Sequence, residues 1–396
     1  VKALLCENVH PAGVALLRDR GFDVSTVEGA LGEAELIAAL DGVDVLGIRS
    51  ATHVTDAVIA ASPHLKAIGA FCIGTNQIDL AAASAAGVAV FNAPYSNTRS
   101  VVELAIGEII SMARHLTDHT ARMHAGIWTK SAAGSHEIRG RSLGIVGYGS
   151  IGSQLSVVAE ALGMRVYFYD VVDRLALGNA RRCATLAELL ETVETVSLHV
   201  DGRPSNRLIF GEAEFARMRP RSLFLNLSRG HVVDEDALVR HLKSGHIAGA
   251  ALDVFGREPK TNDEEFVSAL RGIPNVILTP HVGGSTEEAQ EDIGFFVAGK
   301  LADFVELGST ILSVNFPPVQ PAAHGGRRIV HLHHNVPGVL ANINTLLARW
   351  GANIEAQTLA TRGQHGYAVL DLDAIPQPEL VAALSELPET VRVETR

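Results

Sequence analysis

The stretch Leu143-Gly-Ile-Val-Gly147-Tyr-Gly149-Ser-Ile-Gly152 carries the most informative pattern in the chain. Residues 143–146 have the apolar character of a buried strand, and the residues beyond Gly152 place apolar side chains at helical spacing. Between them stands Gly-x-Gly-x-x-Gly, in the strand-to-helix context that gives the motif meaning. The first glycine permits a tight turn, the second lets backbone approach a pyrophosphate, and the third lets the helix pack closely on the sheet. The helix N-terminus then presents unpaired N–H groups to the phosphates. Gly163 ends the helix, and the next strand, residues 165–169, runs into Asp170. A carboxylate there accepts from both hydroxyls of an adenosine ribose and repels a phosphate on that sugar, so NAD is expected rather than NADP.

Working outward, strands are expected at 195–199, 222–226, 249–253 and 276–278. With the first two they make six, a complete doubly wound dinucleotide fold. Toward the N-terminus a second series alternates strands (1–5, 23–27, 45–48, 67–70, 88–91) with helical patterns (13–20, 33–40). That rhythm implies a parallel sheet covered on both faces. Asn92-Ala-Pro94 breaks it, and a helix is expected over 100–115. A helix over 286–307 leads back toward the first series, and Phe316-Pro-Pro-Val-Gln-Pro321 followed by Gly325-Gly326 marks a domain boundary. Beyond it the pattern reads strand 328–333, helix 337–350 ended by Gly351, strands 354–361 and 367–373, helix 378–387 and strand 390–395. The order βαββαβ is ferredoxin-like. The fold class is therefore α/β, two doubly wound Rossmann-like domains plus a C-terminal ferredoxin-like domain.

Acidic residues outnumber Lys and Arg by 44 to 33, a net charge of −11 that argues against nucleic acid or an anionic membrane as partner. No run of about 18 apolar residues predicts a membrane span. The first residues, VKALLCENVH, lack the basic and apolar regions of a secretory leader, so a cytoplasmic location is expected. Cys6, Cys72 and Cys183 form no CxxC and read as reduced, small hydrophobes. His10, His115 and His324 lack metal-ligand spacing, and no metal is expected.

Three further segments follow in order: Asn226-Leu-Ser-Arg-Gly230 with Val232-Val-Asp234, Ala251-Leu-Asp-Val254 through Glu258-Pro259, and Thr279-Pro-His-Val-Gly-Gly284. With the glycine loop they resemble the D-isomer-specific 2-hydroxyacid dehydrogenase family. Arg49-Ser-Ala-Thr52, Cys72-Ile-Gly-Thr-Asn76 and Asn92-Ala-Pro-Tyr-Ser-Asn-Thr-Arg-Ser100 extend the resemblance over nearly the whole chain, and it is closest to the bacterial branch acting on 3-phosphoglycerate. The family implies a discontinuous substrate-binding domain (1–97 and 287–318), an inserted NAD-binding domain (98–286) and a regulatory ACT domain (326–396). A cleft between the first two is expected to close around NAD and substrate.

By the same resemblance His281 is the catalytic acid/base, Glu258 its partner and Arg229 the anchor of the substrate carboxylate. The chemistry needs these types. Hydride leaves a carbinol carbon only as its hydroxyl loses a proton, and histidine titrates near the working pH. A carboxylate beside it fixes the tautomer and favours the imidazolium. An arginine grips a carboxylate through two parallel hydrogen bonds. The family further places Gly147, Gly149, Ser150, Ile151 and Gly152 at the phosphates, Asp170 at the ribose, and Leu227 and Ser228 beside the nicotinamide. Asp253 lies near the carboxamide, with Arg229, His281, Gly283 and Gly284 close to the ring. Many relatives have Ala where Leu227 stands and Pro where Asp201 stands. Asp201 is expected to put a negative charge near the adenosine and weaken NAD binding.

For the substrate the resemblance offers Arg49, Ser50, Asn97 and Lys130 besides Arg229, with Lys130 acting across a dimer interface. Some relatives carry an arginine where Ala51 stands and a basic residue where Glu28 stands. His331-Leu-His-His-Asn-Val-Pro-Gly-Val339 resembles the start of an ACT domain, and His333, Asn335 and Asn353 match a serine-sensing site shared by two chains. The implied activity is NAD-dependent oxidation of 3-phospho-D-glycerate to 3-phosphohydroxypyruvate, the first step of L-serine synthesis, inhibited by L-serine. A homo-oligomer, by family a tetramer, is expected. Two alternatives stay open: an enzyme for another 2-keto acid such as 2-oxoglutarate, and an NAD(H)-sensing binding protein.

Overall fold

The computed structural model describes residues 1–259, 263–322 and 327–396. His324 and the Gly325-Gly326 boundary lie outside the described residues. Two compact units result, Val1–Ser96 with Gln290–Arg396, and Asn97–Ala289.

In the first unit, strands β1 (Lys2–Leu5), β2 (Asp23–Thr26), β3 (Val45–Ile48), β4 (Ala67–Ala70) and β5 (Ala89–Asn92) form a parallel sheet in the order β2-β1-β3-β4-β5. Residues of β3 and β4 are buried throughout, because both faces are covered; this is why the two read as continuous apolar runs rather than alternating ones. Gly69 in β4 leaves the space that Val297 and Leu301 of the helix Glu287–Leu307 fill.

The inserted unit holds β6 (Ser142–Val146), β7 (Arg165–Tyr169), β8 (Arg181–Arg182), β9 (Thr195–Leu198), β10 (Ser222–Asn226), β11 (Ile247–Leu252) and β12 (Val276–Leu278). They pair in the order β12-β11-β10-β9-β6-β7-β8, all parallel. The sheet has seven strands where six were expected. β8 is two exposed arginines paired to Tyr167 and Phe168, and such a strand leaves no apolar signal. Strand order reverses between β6 and β9, and ligands bind at the carboxyl ends of strands flanking such a reversal. The helix expected over 100–115 is Thr98–Ala113, and a second helix that was not expected, Leu116–His124, follows it beyond His115, which takes a left-handed φ of 52°. Nothing in the second helix is buried, so apolar periodicity could not announce it.

Strands β13 (Arg328–His334), β14 (Ile354–Arg362), β15 (His365–Leu372) and β16 (Thr390–Thr395) form an antiparallel sheet in the order β14-β15-β13-β16. Helices Val339–Arg349 and Pro378–Ser385 bury Ile343, Leu347, Leu380 and Leu384 with Ile329 and Leu370, completing the ferredoxin-like layer. This layer docks on the remainder of the first unit. Val330, Leu332 and Tyr367 share a core with Phe91, Leu301, Phe304 and Phe316. Tyr367 donates to Gly308 O at 2.8 Å, and Arg392 to Leu65 O at 2.6 Å. The Arg328 guanidinium, wholly buried, meets Asp371 at 2.6 and 2.8 Å and the carbonyls of Leu307 and Ala322 at 2.8 Å each.

Among the described residues no helix is long and apolar enough to cross a membrane.

Candidate active site

Three loops at the carboxyl ends of β10, β11 and β12 form the candidate site, and buried polar side chains, Asn226 and Asp253, shape the first and the third. Asn226 ends β10 fully buried. Its oxygen accepts from Ser228 N–H (3.1 Å) and Oγ (2.8 Å), and its Nδ2 donates to Arg229 O at 3.0 Å. Asn226 is therefore the template of the Leu227-Ser228-Arg229 turn. Gly230 follows because a Cβ there would run into the Phe255 carbonyl. The Arg229 guanidinium donates to Ser228 O at 2.7 Å.

Asp253 follows β11 and is 2% exposed. It accepts from Thr279 Oγ1 (2.6 Å), Val282 N–H (2.8 Å) and Gly283 N–H (2.7 Å). These bonds hold the 279–283 loop, in which His281 takes a left-handed φ of 56°. A side-chain-bearing residue in that region is strained, and surrounding structure must over-determine it. His281 Nδ1 lies 2.8 Å from Glu258 Oε2, and Glu258 Oε1 accepts Phe255 N–H at 3.1 Å.

The electrostatics follow from this geometry. The hydrogen bond to Glu258, against the opposing effect of burial, raises the His281 pKa above its ordinary value. Burial acts to raise Glu258, but the bonds from His281 and Phe255 N–H, with the His281 and Arg229 charges, outweigh it and hold the carboxyl low. With Nδ1–H given to Glu258, Nε2 is left to take up or release a proton. A guanidinium in the same electrostatic neighbourhood can hold a carboxylate.

The glycine loop fits a dinucleotide. Gly147 has φ 92°, and a Cβ on it would meet His199 O at 2.5 Å. On Gly152 a Cβ would collide with Gly147 O. The helix Ser150–Ala161 has Gly149 as its N-cap with no side-chain cap bond, which leaves first-turn N–H groups for phosphate. Asp170 accepts Tyr148 N–H at 2.7 Å and Val172 N–H at 2.8 Å, tying the loop to the end of β7 and keeping lone pairs for ribose. Asp201, expected to weaken NAD binding, pairs with Arg203 Nε at 2.7 Å and is bonded by Asn206 Nδ2 at 2.9 Å. Its charge is met locally, which a reading of single positions could not foresee.

Leu227 is buried, 7% exposed. Asn97 caps the helix Thr98–Ala113, and its amide occupies the space that a Cβ on Gly284 would need. Lys130 lies in an exposed stretch. Arg49 and Ser50 belong to the first unit, directly after β3. Sequence reading did not single out Asn226, nor Glu7, whose carboxylate holds the Arg49 loop. Neither a lone asparagine at a strand end nor a glutamate after a short strand carries a signal of its own.

In the C-terminal sheet His333 is buried against His331, ring centroids 5.4 Å apart. Asn335 Nδ2 donates to Gly363 O at 3.2 Å. Asn353 precedes β14, whereas Gly363 follows it. The strand between them spans roughly 25 Å. One chain therefore keeps Asn353 apart from His333 and Asn335.

The chain is similar to known proteins over nearly its whole length. Residues 106–283 match the D-isomer specific 2-hydroxyacid dehydrogenase, NAD binding domain, and residues 329–392 match an AHAS small subunit-like ACT domain. The D-3-phosphoglycerate dehydrogenase of Escherichia coli (strain K12) is 49% identical over 395 residues, 99% of this chain and 96% of that one. The chain belongs to the D-isomer-specific 2-hydroxyacid dehydrogenase family. The D-3-phosphoglycerate dehydrogenase of Dictyostelium discoideum is 46% identical over 396 residues, covering 99% of this chain and 96% of its own. A solved D-lactate dehydrogenase from Aquifex aeolicus, complexed with NAD and lactic acid, superposes with a TM-score of 0.68 at 26% identity, covering 80% of this chain and 99% of that one. As a member, the chain is an NAD-dependent dehydrogenase with a C-terminal ACT domain.

Proposed function

We propose that this dehydrogenase oxidises 3-phospho-D-glycerate to 3-phosphohydroxypyruvate in the cytoplasm, as the first step of L-serine synthesis, and that L-serine inhibits it through the ACT domain. The observation that carries the chemistry is the His281–Glu258 pair at 2.8 Å, in electrostatic reach of Arg229. The substrate assignment rests on the two D-3-phosphoglycerate dehydrogenases that share 49% and 46% of their residues with this chain over nearly its full length.

In this reading Arg229 grips the substrate carboxylate and polarises the oxygen on C2. His281 Nε2 takes the C2 hydroxyl proton, and Glu258 stabilises the imidazolium that forms. Bound NAD supplies the acceptor for the hydride. Gly147, Gly149, Ser150, Ile151 and Gly152 hold its pyrophosphate, and Asp170 its ribose. Leu227, Ser228, Asp253, Gly283 and Gly284 line its nicotinamide end. Arg49, Ser50, Asn97 and Lys130 serve the phosphorylated end of the substrate.

The separation of Asn353 from His333 and Asn335 within one chain favours an effector site completed by a second copy. Exposed Leu116, Met123 and Trp128 offer an apolar surface for self-association in the inserted unit as well, consistent with a tetramer.

The test is the initial rate of NADH oxidation with 3-phosphohydroxypyruvate, with and without millimolar L-serine. Turnover suppressed by serine supports both parts. Turnover blind to serine reduces the ACT domain to an assembly element. Absence of turnover with NADH bound removes the substrate assignment. A second reading, another 2-keto acid such as 2-oxoglutarate, is favoured by one feature: Ala51, exposed beside Ser50, offers no second cation to a phosphate.

A further inference from the structure

Four consecutive residues, Arg49 to Thr52, leave β3 as an irregular loop, and their backbone donors are not free to serve a ligand together. Glu7 Oε1 accepts Arg49 N–H at 3.1 Å and Thr52 N–H at 2.8 Å, while Oε2 accepts Ala51 N–H at 2.9 Å. One carboxylate thus collects three of the four donors, and Ser50 N–H is the one it does not take.

The other side of the loop is held too. Gln77, 4% exposed, donates Nε2 to Arg49 O at 2.6 Å and to Gly74 O at 3.3 Å, and Cys72 Sγ approaches Arg49 O at 3.5 Å. The Arg49 residue is clamped at its N–H by Glu7 and at its C=O by Gln77. The clamp is reached at a conformational cost: Glu7 and Asn8 take φ of 65° and 50°, two successive side-chain-bearing residues in the left-handed region. Such strain persists only where surrounding bonds over-determine it, and it gathers at functional loops. Burial would raise the Glu7 carboxyl, but the loop's donors outweigh it and keep the group charged.

We propose that Glu7, with Gln77, is the positioning residue of the substrate loop: its carboxylate acts as a built-in anion that folds residues 49–52 around itself, leaving Ser50 N–H and the Arg49 guanidinium for the anionic end of the substrate. A turn of successive N–H groups is an anion-binding concavity. Filling it from behind with a fixed carboxylate sets the loop before substrate arrives, so less ordering is left for binding. Glu7 touches no substrate in this arrangement; it acts through Arg49 and Ser50. The inference deepens the proposed function and rests on it for the identity of the ligand, though not for the geometry of the clamp.

The test uses the full chain with Glu7→Gln and Glu7→Ala. The glutamine is nearly isosteric, but its NH₂ faces one of the three N–H donors, so at least one bond is lost. The amide hydrogen exchange of Arg49, Ala51 and Thr52 is compared with wild type, alongside KM and kcat for 3-phosphohydroxypyruvate and the Kd for NADH. Expected are faster exchange confined to this loop, a KM raised about 10- to 100-fold, kcat within roughly twofold as for lost uniform binding, and an unchanged Kd for NADH. Unchanged exchange at the three amides in a folded Glu7→Gln overturns the proposal. So does a KM that stays constant while exchange rises. If wild type fails to turn over 3-phosphohydroxypyruvate, the functional reading falls separately, and the exchange comparison still decides the role of Glu7.

Discussion

His281 Nδ1 and Glu258 Oε2 lie 2.8 Å apart although 23 residues separate them in the chain. The pair exists because Asp253 fastens the loop of one while Phe255 N–H aims the carboxylate of the other. Its consequence is a histidine whose pKa is raised by the bond to Glu258. In the proposed mechanism keto-acid reduction needs the imidazolium, so its rate is expected to fall as pH rises through that raised pKa. In Glu258→Gln the raising bond is lost and the fall begins at lower pH, with kcat reduced about 100-fold at neutral pH. A pH–rate profile identical to wild type would refute this.

In the proposed reading Asp170 sets the sugar preference. Asp170→Ala removes an acceptor for ribose hydroxyls and the repulsion of a 2′-phosphate. The Kd for NADH should rise about 10-fold or more, as for a lost charge-assisted bond, and the preference for NADH over NADPH should shrink. Fluorescence titration with both cofactors measures it.

Glu108 is 3% exposed, neither carboxyl oxygen has a hydrogen-bond partner among the described residues, and burial followed by the Asp253 charge pushes its pKa up to about 8. The folded state therefore keeps a proton that the unfolded chain loses above the ordinary value of 4.5. Stability from this group declines as pH rises between those values and levels off above the upper one. Glu108→Gln should flatten the decline and raise stability by a few kcal/mol at pH 9. Urea midpoints at pH 5 and 9 check the sign.

The Arg328 guanidinium has 0% side-chain exposure and takes its charge partner from Asp371, 21% exposed. Asp371→Ala leaves an unpaired buried cation and should cost about 3–5 kcal/mol. Because Arg328 also bonds the carbonyls of Leu307 and Ala322, the loss should loosen the docked ferredoxin-like layer first. Limited proteolysis near residue 322 would show it; resistance equal to wild type would contradict it.

Asn353 and His333 stand at opposite ends of the C-terminal sheet, so a serine site needs both from different copies. His333→Ala and Asn353→Ala should each abolish inhibition by L-serine when alone. Mixed oligomers should regain it in part, since one interface site per hybrid pair is then intact. Failure of mixing to restore any inhibition would count against a shared site.

Much of this protein was legible in one dimension. The Gly147–Gly152 loop, the strand into Asp170 and the two parallel series are local patterns, set by period, turn chemistry and the burial of both sheet faces. So is the βαββαβ order of the last 70 or so residues. Elements that bury nothing were not legible: the two-arginine strand β8 pairs only through backbone, and the helix Leu116–His124 presents no apolar face. The site divides the same way. His281, Glu258 and Arg229 were named by motif resemblance, but the loops that carry Arg229 and His281 are held by Asn226 and Asp253, and the Arg49 loop by Glu7, polar residues whose value comes from the N–H groups that folding brings to them. Asp201 read as a repulsive charge until Arg203 was seen beside it. By itself the sequence determined the fold class, because that follows from spacing along the chain; the reacting groups it offered only through resemblance. Only the tertiary structure decided which buried carboxylates and amides shape the loops, because a hydrogen bond between distant residues leaves no period to read.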